Sequence, residues 1–320
     1  MPINKYYTGD VNPQYPVQEQ FANAIFQQAG VSWTSKCEDN LSSKGKAAGR
    51  VPKNEVYYSI DNIWVTKYYI YVMALVSIIT PAYNSKNTIK ATYDSVLSQT
   101  FDDFEWIIVD DCSKDDSFSL LKELEKKEKR IIVLQTPKNG GSAAARNIAL
   151  KHATGKYVTF LDSDDVIDPN YLEEQVKFIK DNGPLISAGY RRQAEHTCTD
   201  FYVPDETNYK SALKGNPLSC LTTMYDREVI GDLYFDETYD RHEDYIFWLS
   251  ILKRGIVAKG NHKILATYII HSNSKNSNKS KLVKSMYRVY HKSEGFSWLR
   301  SWIYVFRYAL YSRKKYRNVN

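Results

Sequence analysis

Between residues 75 and 179 apolar runs of strand length alternate with stretches of helical periodicity, and the connections are short. "LVSIIT" (75–80) is rich in β-branched residues and reads as a buried strand. Residues 88–99 then place Ile89, Tyr93, Val96 and Leu97 at helical spacing. "EWIIVD" (105–110), "RIIVLQT" (130–136) and "YVTFLD" (157–162) repeat the strand pattern. A charged helix at 115–128, a helix at 142–153 and a helix after Pro169 fill the intervals. Strand–helix alternation with short links predicts an α/β fold with a mainly parallel sheet and helices on both faces. Ligands of such sheets bind beyond the carboxyl ends of the strands. That rule selects three places: "PAYN" (81–84), "DDCS" (110–113) and "DSDD" (162–165).

The third place carries the strongest chemical signal. Asp162, Asp164, Asp165 and Asp168 crowd directly behind an apolar strand. Two like charges about 4 Å apart cost roughly 1 kcal/mol in water and about 4 near a protein surface. A divalent cation turns that repulsion into coordination, and Mg²⁺ uses one or two carboxylates with waters and substrate phosphates completing its shell. A calcium loop of the EF-hand type is rejected, because Val166 and Ile167 stand where a ligand and the obligatory glycine belong. Asp168, just before Pro169, reads instead as a helix cap. Neither G-x-G-x-x-G nor G-x-x-x-x-G-K-[ST] follows the first strand. A phosphate-bearing ligand would therefore depend on metal, Arg146 and helix N-termini.

The segments "VSIITPAYNSKNTIKATYDSVLSQTFDDFEWIIVDDCSKDDS", "PKNGGSAAARNIALKHATGKYVTFLDSDD" and "RHEDYIFWLSILKRG" together resemble the family 2 glycosyltransferases of GT-A fold, the inverting bacterial surface-polysaccharide type, over residues 73–275. The resemblance implies a Rossmann-like nucleotide-binding sheet, a nucleotide-sugar donor (a UDP-sugar), a divalent metal (Mn²⁺ or Mg²⁺) and inversion at the anomeric carbon. Carried over by motif, Pro81, Tyr83 and Asp111 line the nucleoside pocket and Asp111 contacts the base. Arg146 lies near the diphosphate. Asp162 and Asp164 form the D-x-D pair, with Asp164 the direct metal ligand. His271, in a Y-x-x-H pattern, reaches metal or diphosphate. Asp244, in "HED", is the general base. Its place at the start of an apolar helix would favour the ionised form through the helix dipole, whereas Glu243 reads as an ordinary acid of a helix start. Cys112 fills a position where glycine is commoner. No Q-x-x-R-W follows, and no membrane span accompanies the motifs, so transfer of a single sugar is expected rather than processive synthesis.

Residues 1–72 show weak periodicity and a polar "SSKGKAAGR" stretch, and they form an N-terminal extension of unclear status. Met73 is a candidate biological start. No basic n-region followed by an apolar core opens the chain, so no signal peptide is expected. The four cysteines are widely spaced and read as reduced thiols of a cytoplasmic protein.

Residues 276–320 form a basic, aromatic, helical tail. From 281 onward it holds ten Lys/Arg and one acid, Glu294, although the whole chain carries only +6. "FSWLRSWIYVFRYALYSRKKYR" (296–317) suits an interfacial helix on an anionic membrane; a helix packed on the catalytic domain and a nucleic-acid patch are the alternatives. Membrane contact is favoured because many bacterial relatives extend lipid-linked glycans. The expected partners are a nucleotide-sugar donor, a glycan or lipid-linked acceptor and the inner-membrane surface, with no nucleic acid. Two other functions are weighed. A sugar-phosphate nucleotidyltransferase would need a Gly-rich G-x-G-T-R-L stretch, which "PAYNSKNT" does not supply. A non-catalytic nucleic-acid binder would leave the Asp cluster and Asp244 unexplained.

Overall fold

The computed structural model describes residues 57–60, 63–66, 74–270 and 279–315. The chain divides into two compact units, Met1–Val72 and Met73–Asn320. In the first, strands β1 (Tyr57–Ile60) and β2 (Ile63–Thr66) form an antiparallel hairpin with Tyr57 opposite Thr66.

The second unit is built on one twisted sheet. Strands β3 (Val76–Ala82), β4 (Phe104–Asp110), β5 (Ile131–Gln135) and β6 (Tyr157–Phe160) pair parallel in the order β5-β4-β3-β6. Helices α1 (Ile89–Leu97), α2 (Ser117–Lys127) and α3 (Gly141–His152) connect them. These four strands and three helices are those that the periodicity predicts. Next come β7 (Val166–Ile167), α4 (Tyr171–Asn182), β8 (Leu185–Gln193), β9 (Cys198–Phe201), β10 (Glu206–Thr207) and the short α5 (Tyr209–Ala212). β11 (Thr223–Asp226) runs antiparallel between β6 and β8, and β12 (Ala258–Ile269) returns parallel to β8. The sheet thus has a parallel half and a mixed half.

Both faces are covered, as parallel strands require. Ile79, Ile107, Val109, Val158 and Phe160 pack into one core with α3 and helix α7 (Glu243–Leu252), which follows the short α6 (Arg227–Ile230). Ile78, Trp106, Ile108 and Tyr157 pack into the opposite core with α1, α2 and α4. Side chains of successive strand residues point to opposite faces, which is why these runs lack polar interruptions. Full burial of each Val or Ile contributes roughly 1.5–3 kcal/mol. Trp106 is entirely buried, and its indole N–H donates to Thr80 Oγ1 at 2.8 Å, so no donor is stranded.

Two local features position the site. Register shifts between Asn261 and Ile264 and between Ile264 and Thr267 bend β12, which also pairs with β7. Asp165 Oδ1 accepts from the Ile269 backbone N–H at 2.9 Å, tying the acidic loop to that strand. The expected cap at Asp168 is not formed. The helix begins two residues later, behind Asn170, and Asp168 contributes its backbone carbonyl to Tyr171 N–H and the Gln99 amide. The carboxyl is partly buried, and burial raises its affinity for a proton, with Arg191 opposing.

The basic tail is helical. α8 (Lys279–Arg288) passes through a π-helical turn (Val289–Ser293) into α9 (Trp298–Lys315). One face of α9 seats on the unit. Ser301 and Val305 are buried, Tyr304 stacks near Tyr290 at 5.4 Å between centroids, and Tyr308 lies 5.6 Å from Tyr245. Gly215 is where the helix comes closest: an added Cβ would sit 2.1 Å from the Tyr311 ring. Among the described residues, no helix is long and apolar enough to cross a membrane.

Candidate active site

A cavity of about 220 Å³ opens where the acidic loop behind β6 meets the start of α7. Arg146, Asp162, Asp165, Cys220, Glu243, Asp244 and Tyr268 contribute to its wall. Arg146 is central. Its side chain is 5% exposed and projects from α3, donating to Asp162 Oδ1 at 2.7 Å and to Glu243 Oε1 at 3.1 Å. Its guanidinium lies 5.4 Å from the Phe235 ring centroid. Burial works against this charge, but Asp162 and Glu243 outweigh it and hold the guanidinium firmly protonated. Two of its nitrogens are thus engaged by carboxylates, whereas Nε is buried without a hydrogen-bond partner.

Glu243 and Asp244 are neighbours with opposite chemistry. Burial alone would raise both carboxyls. Glu243 also accepts from the Ser142 hydroxyl at 2.7 Å, and Arg146 and this hydroxyl bring it below the usual carboxylate range. Asp244 is pushed up to about 6, first by burial and then by the Glu243 charge, with Arg146 pulling the other way. The helix-start expectation of an easily ionised Asp244 is thus corrected: desolvation and a like charge exceed the dipole. The result suits proton transfer, since a base works best with a pKa near the operating pH. The turn into α7 passes through His242, whose φ of 62° is left-handed and whose Nε2 is buried without a hydrogen-bond partner. Burial lowers the proton affinity of that imidazole.

The loops beyond β3 and β4 form the other predicted region. Tyr83 is exposed and Pro81 half-buried, so both can meet a ligand. Asp111 is buried. Its oxygens accept from Gly140 N–H at 2.8 Å, Gly141 N–H at 2.7 Å and Thr136 Oγ1 at 2.9 Å. The carboxylate thereby anchors the "NGG" turn at the positive end of α3. Three of its roughly four acceptor positions are occupied, so a base contact has one left. Asp110 likewise accepts from Ser113 N–H and the Gln135 amide. Cys112 has φ of 55°, which accounts for the glycine-like position, and its thiol faces Thr136 O at 3.0 Å.

Asp162 and Asp164 sit on the same loop, half-buried, with Asp165 beneath them. Burial and the charges of Asp162 and Asp164 drive the Asp165 carboxyl well above its ordinary range. An all-oxygen, net-negative donor set of this kind fits a hard divalent cation. Among the described residues, no three His, Cys, Asp or Glu side chains already form a closed metal cluster. His271 lies outside the described residues.

Sequence reasoning undervalued Glu243, whose pairing with Arg146 spans 97 positions. It missed Tyr268, which no local pattern marks, and it read Lys315 only as one cation of the basic tail. Lys315 donates to Asn216 O at 3.2 Å and lies 4.0 Å from the Phe201 ring centroid. Burial drives its amine down to about 7 despite the attraction of Asp244.

Residues 77–258 match Glycosyl transferase family 2. The chain belongs to that family. It is a glycosyltransferase. A Bacillus subtilis glycosyltransferase named for teichuronic acid biosynthesis, TuaG, is 40% identical over 246 residues, covering 75% of this chain and 97% of the relative. The Escherichia coli UDP-Glc:α-D-GlcNAc-diphosphoundecaprenol β-1,3-glucosyltransferase WfaP is 39% identical over 211 residues, 65% of this chain and 82% of that one. The fold is similar to that of Staphylococcus aureus TarS in complex with UDP (TM-score 0.52, 24% identity, 69% of this chain and 73% of the other). It is also similar to Pyrobaculum calidifontis mannosyltransferase PcManGT with GDP-Man and Mn²⁺ (TM-score 0.56, 17% identity, 72% and 69%). These likenesses agree with the GT-A architecture expected from the motifs.

Proposed function

We propose that this glycosyltransferase moves one hexosyl group from a UDP-sugar, with UDP-glucose the first candidate, to a hydroxyl of a lipid-linked glycan acceptor in surface-polysaccharide assembly. The observation that carries the reading is Asp244, a carboxyl with a pKa of about 6 in a cavity shared with Arg146 and the D-x-D residue Asp162. Two E. coli relatives act on UDP-Glc and α-D-GlcNAc-diphosphoundecaprenol and form β-1,3 bonds. UDP-glucose is an α-glycoside, so a β product means inversion, which one base on one face can accomplish.

In this reading Asp244 accepts the acceptor hydroxyl's proton as that oxygen attacks the anomeric carbon. Arg146 holds Glu243 and Asp162 in place and puts positive charge beside the departing diphosphate. Pro81, Tyr83 and Asp111 border the nucleoside. Asp164 and Asp162 would hold Mn²⁺ or Mg²⁺, with His271 as a further candidate ligand. Such an ion supplies Lewis-acid stabilisation of the leaving group.

The test is a panel of nucleotide sugars assayed for Mn²⁺-dependent UDP release, with and without a GlcNAc-diphospholipid acceptor. UDP-glucose should be turned over, Asp164→Ala should lose metal dependence along with rate, and Asp244→Asn should keep UDP binding while losing transfer. No turnover of any UDP-sugar, or full transfer by Asp244→Asn, overturns the reading.

A further inference from the structure

Helix α9 has a second face that folding does not use. Trp298, Leu299, Trp302, Ile303, Phe306 and Leu310 are each between 42% and 65% exposed. At about 100° per residue they fall in one continuous stripe. Ser301, Val305, Tyr308 and Tyr311 lie on the opposite side, against the unit. The helix therefore cannot roll its apolar stripe inward without giving up the Gly215–Tyr311 contact and the tyrosine stacking. Six large apolar side chains in one exposed stripe exceed the scattered singles usual on a soluble surface.

The charge pattern says what covers the stripe. α9 carries Arg300, Arg307 and Arg313 at exposed positions and no acid; α8 adds Lys281, Lys284 and Arg288, again with no acid, whereas the amine of Lys315 is buried against the unit and takes no part. A second copy docked through the same face would bring these cations together with nothing to neutralise them. An anionic lipid surface neutralises them, and Trp side chains settle at the boundary between headgroups and acyl chains. We propose that the outer face of α9 lies in the interfacial zone of an anionic bilayer, holding the protein on the membrane surface. Since α9 is not apolar enough to span, it rests in the plane, with long Arg side chains reaching back to the headgroups. This docking does not depend on which sugar or acceptor the enzyme uses.

The full chain is mixed with vesicles of phosphatidylglycerol and phosphatidylcholine, and separately with phosphatidylcholine alone, and co-sedimentation is measured. Binding to the anionic vesicles, weakened by salt and accompanied by a blue shift of tryptophan emission, is expected. Trp298→Ser combined with Leu299→Ser and Phe306→Ser should weaken that binding by roughly tenfold or more, since each removes apolar area from the interface. Arg307→Glu combined with Arg313→Glu should do the same through charge. All five positions are exposed, so melting temperature and UDP-sugar hydrolysis in solution should stay at wild-type values, which separates lost docking from lost folding. Absence of wild-type binding, or undiminished binding by the triple serine variant, overturns the proposal. Sedimentation velocity showing a dimer that the triple variant dissolves, without vesicle binding, would overturn it in favour of a second copy.

Discussion

Replacing Asp244, the proposed base, should make the protein more stable while disabling it. The folded Asp244 carboxyl sits at about 6 against an ordinary 3.8, so the fold favours its protonated form. A raised carboxyl contributes stability that is fully present below the unfolded pKa and lost as pH rises through the folded one. Across the whole range the difference amounts to roughly 3 kcal/mol. Coupling to Glu243 and partial solvent contact reduce it, and about 1–3 kcal/mol is the working expectation. Asp244→Asn cannot ionise and escapes this loss. For a unit of this size, each kcal/mol moves the melting temperature by about 2–4 °C. Thermal unfolding in EDTA should therefore show Asp244→Asn melting roughly 3–8 °C above wild type near pH 8 and level with it near pH 4. On the proposed role of Asp244 the same ionisation sets activity, and wild-type kcat/KM should climb with pH through an apparent value near 6. An asparagine variant that is no more stable at high pH, or equally stabilised at low pH, would refute the argument that desolvation and Glu243 set the acidity of this carboxyl.

Two further perturbations probe the surroundings. Arg146→Met leaves Glu243 and Asp162 without their shared cation and should cost about 3–5 kcal/mol by denaturant melts, the penalty of a broken buried pair; Arg146→Lys, lacking the two-armed fork, should recover only part of this and stay at least about tenfold down in kcat/KM. Cys112→Gly should be within about 1 kcal/mol of wild type because φ of 55° suits glycine, whereas Cys112→Val should lose roughly 1–2 kcal/mol at that left-handed position.

The parallel half of the fold was readable because its strands are buried on both faces and so appear as uninterrupted apolar runs. The acidic loop was readable because its charges are adjacent in the chain. Other features depend on contacts that no local pattern encodes. Glu243 and Asp244 look alike in sequence, and only Arg146, about a hundred residues away, gives them different acidities. Asp111 looks like an available carboxylate until the "NGG" turn folds over it. The aromatic and basic residues of α9 were visible as a composition, but which residues face inward is decided by Gly215, Tyr245 and Tyr290. β11 leaves a weak signal because it is only four residues long, and β12 because register shifts break the alternation of its partly covered face.

Arg146 touches the D-x-D loop with one nitrogen and the start of α7 with another. Acidity at Asp244 and occupancy of the donor side are therefore thermodynamically linked, and the linkage is reciprocal. If, as proposed, a donor phosphate draws on this guanidinium, it weakens the hold on Glu243 and makes Asp244 a stronger proton acceptor; conversely, protonating Asp244 then makes anionic donors bind more tightly. On the proposed function, loading of the donor thus makes Asp244 a stronger base but moves the pH range in which it is ionised upward, without moving a domain. Substitutions on the donor side and on α7 should then combine non-additively in double-mutant cycles, even where no ligand spans both.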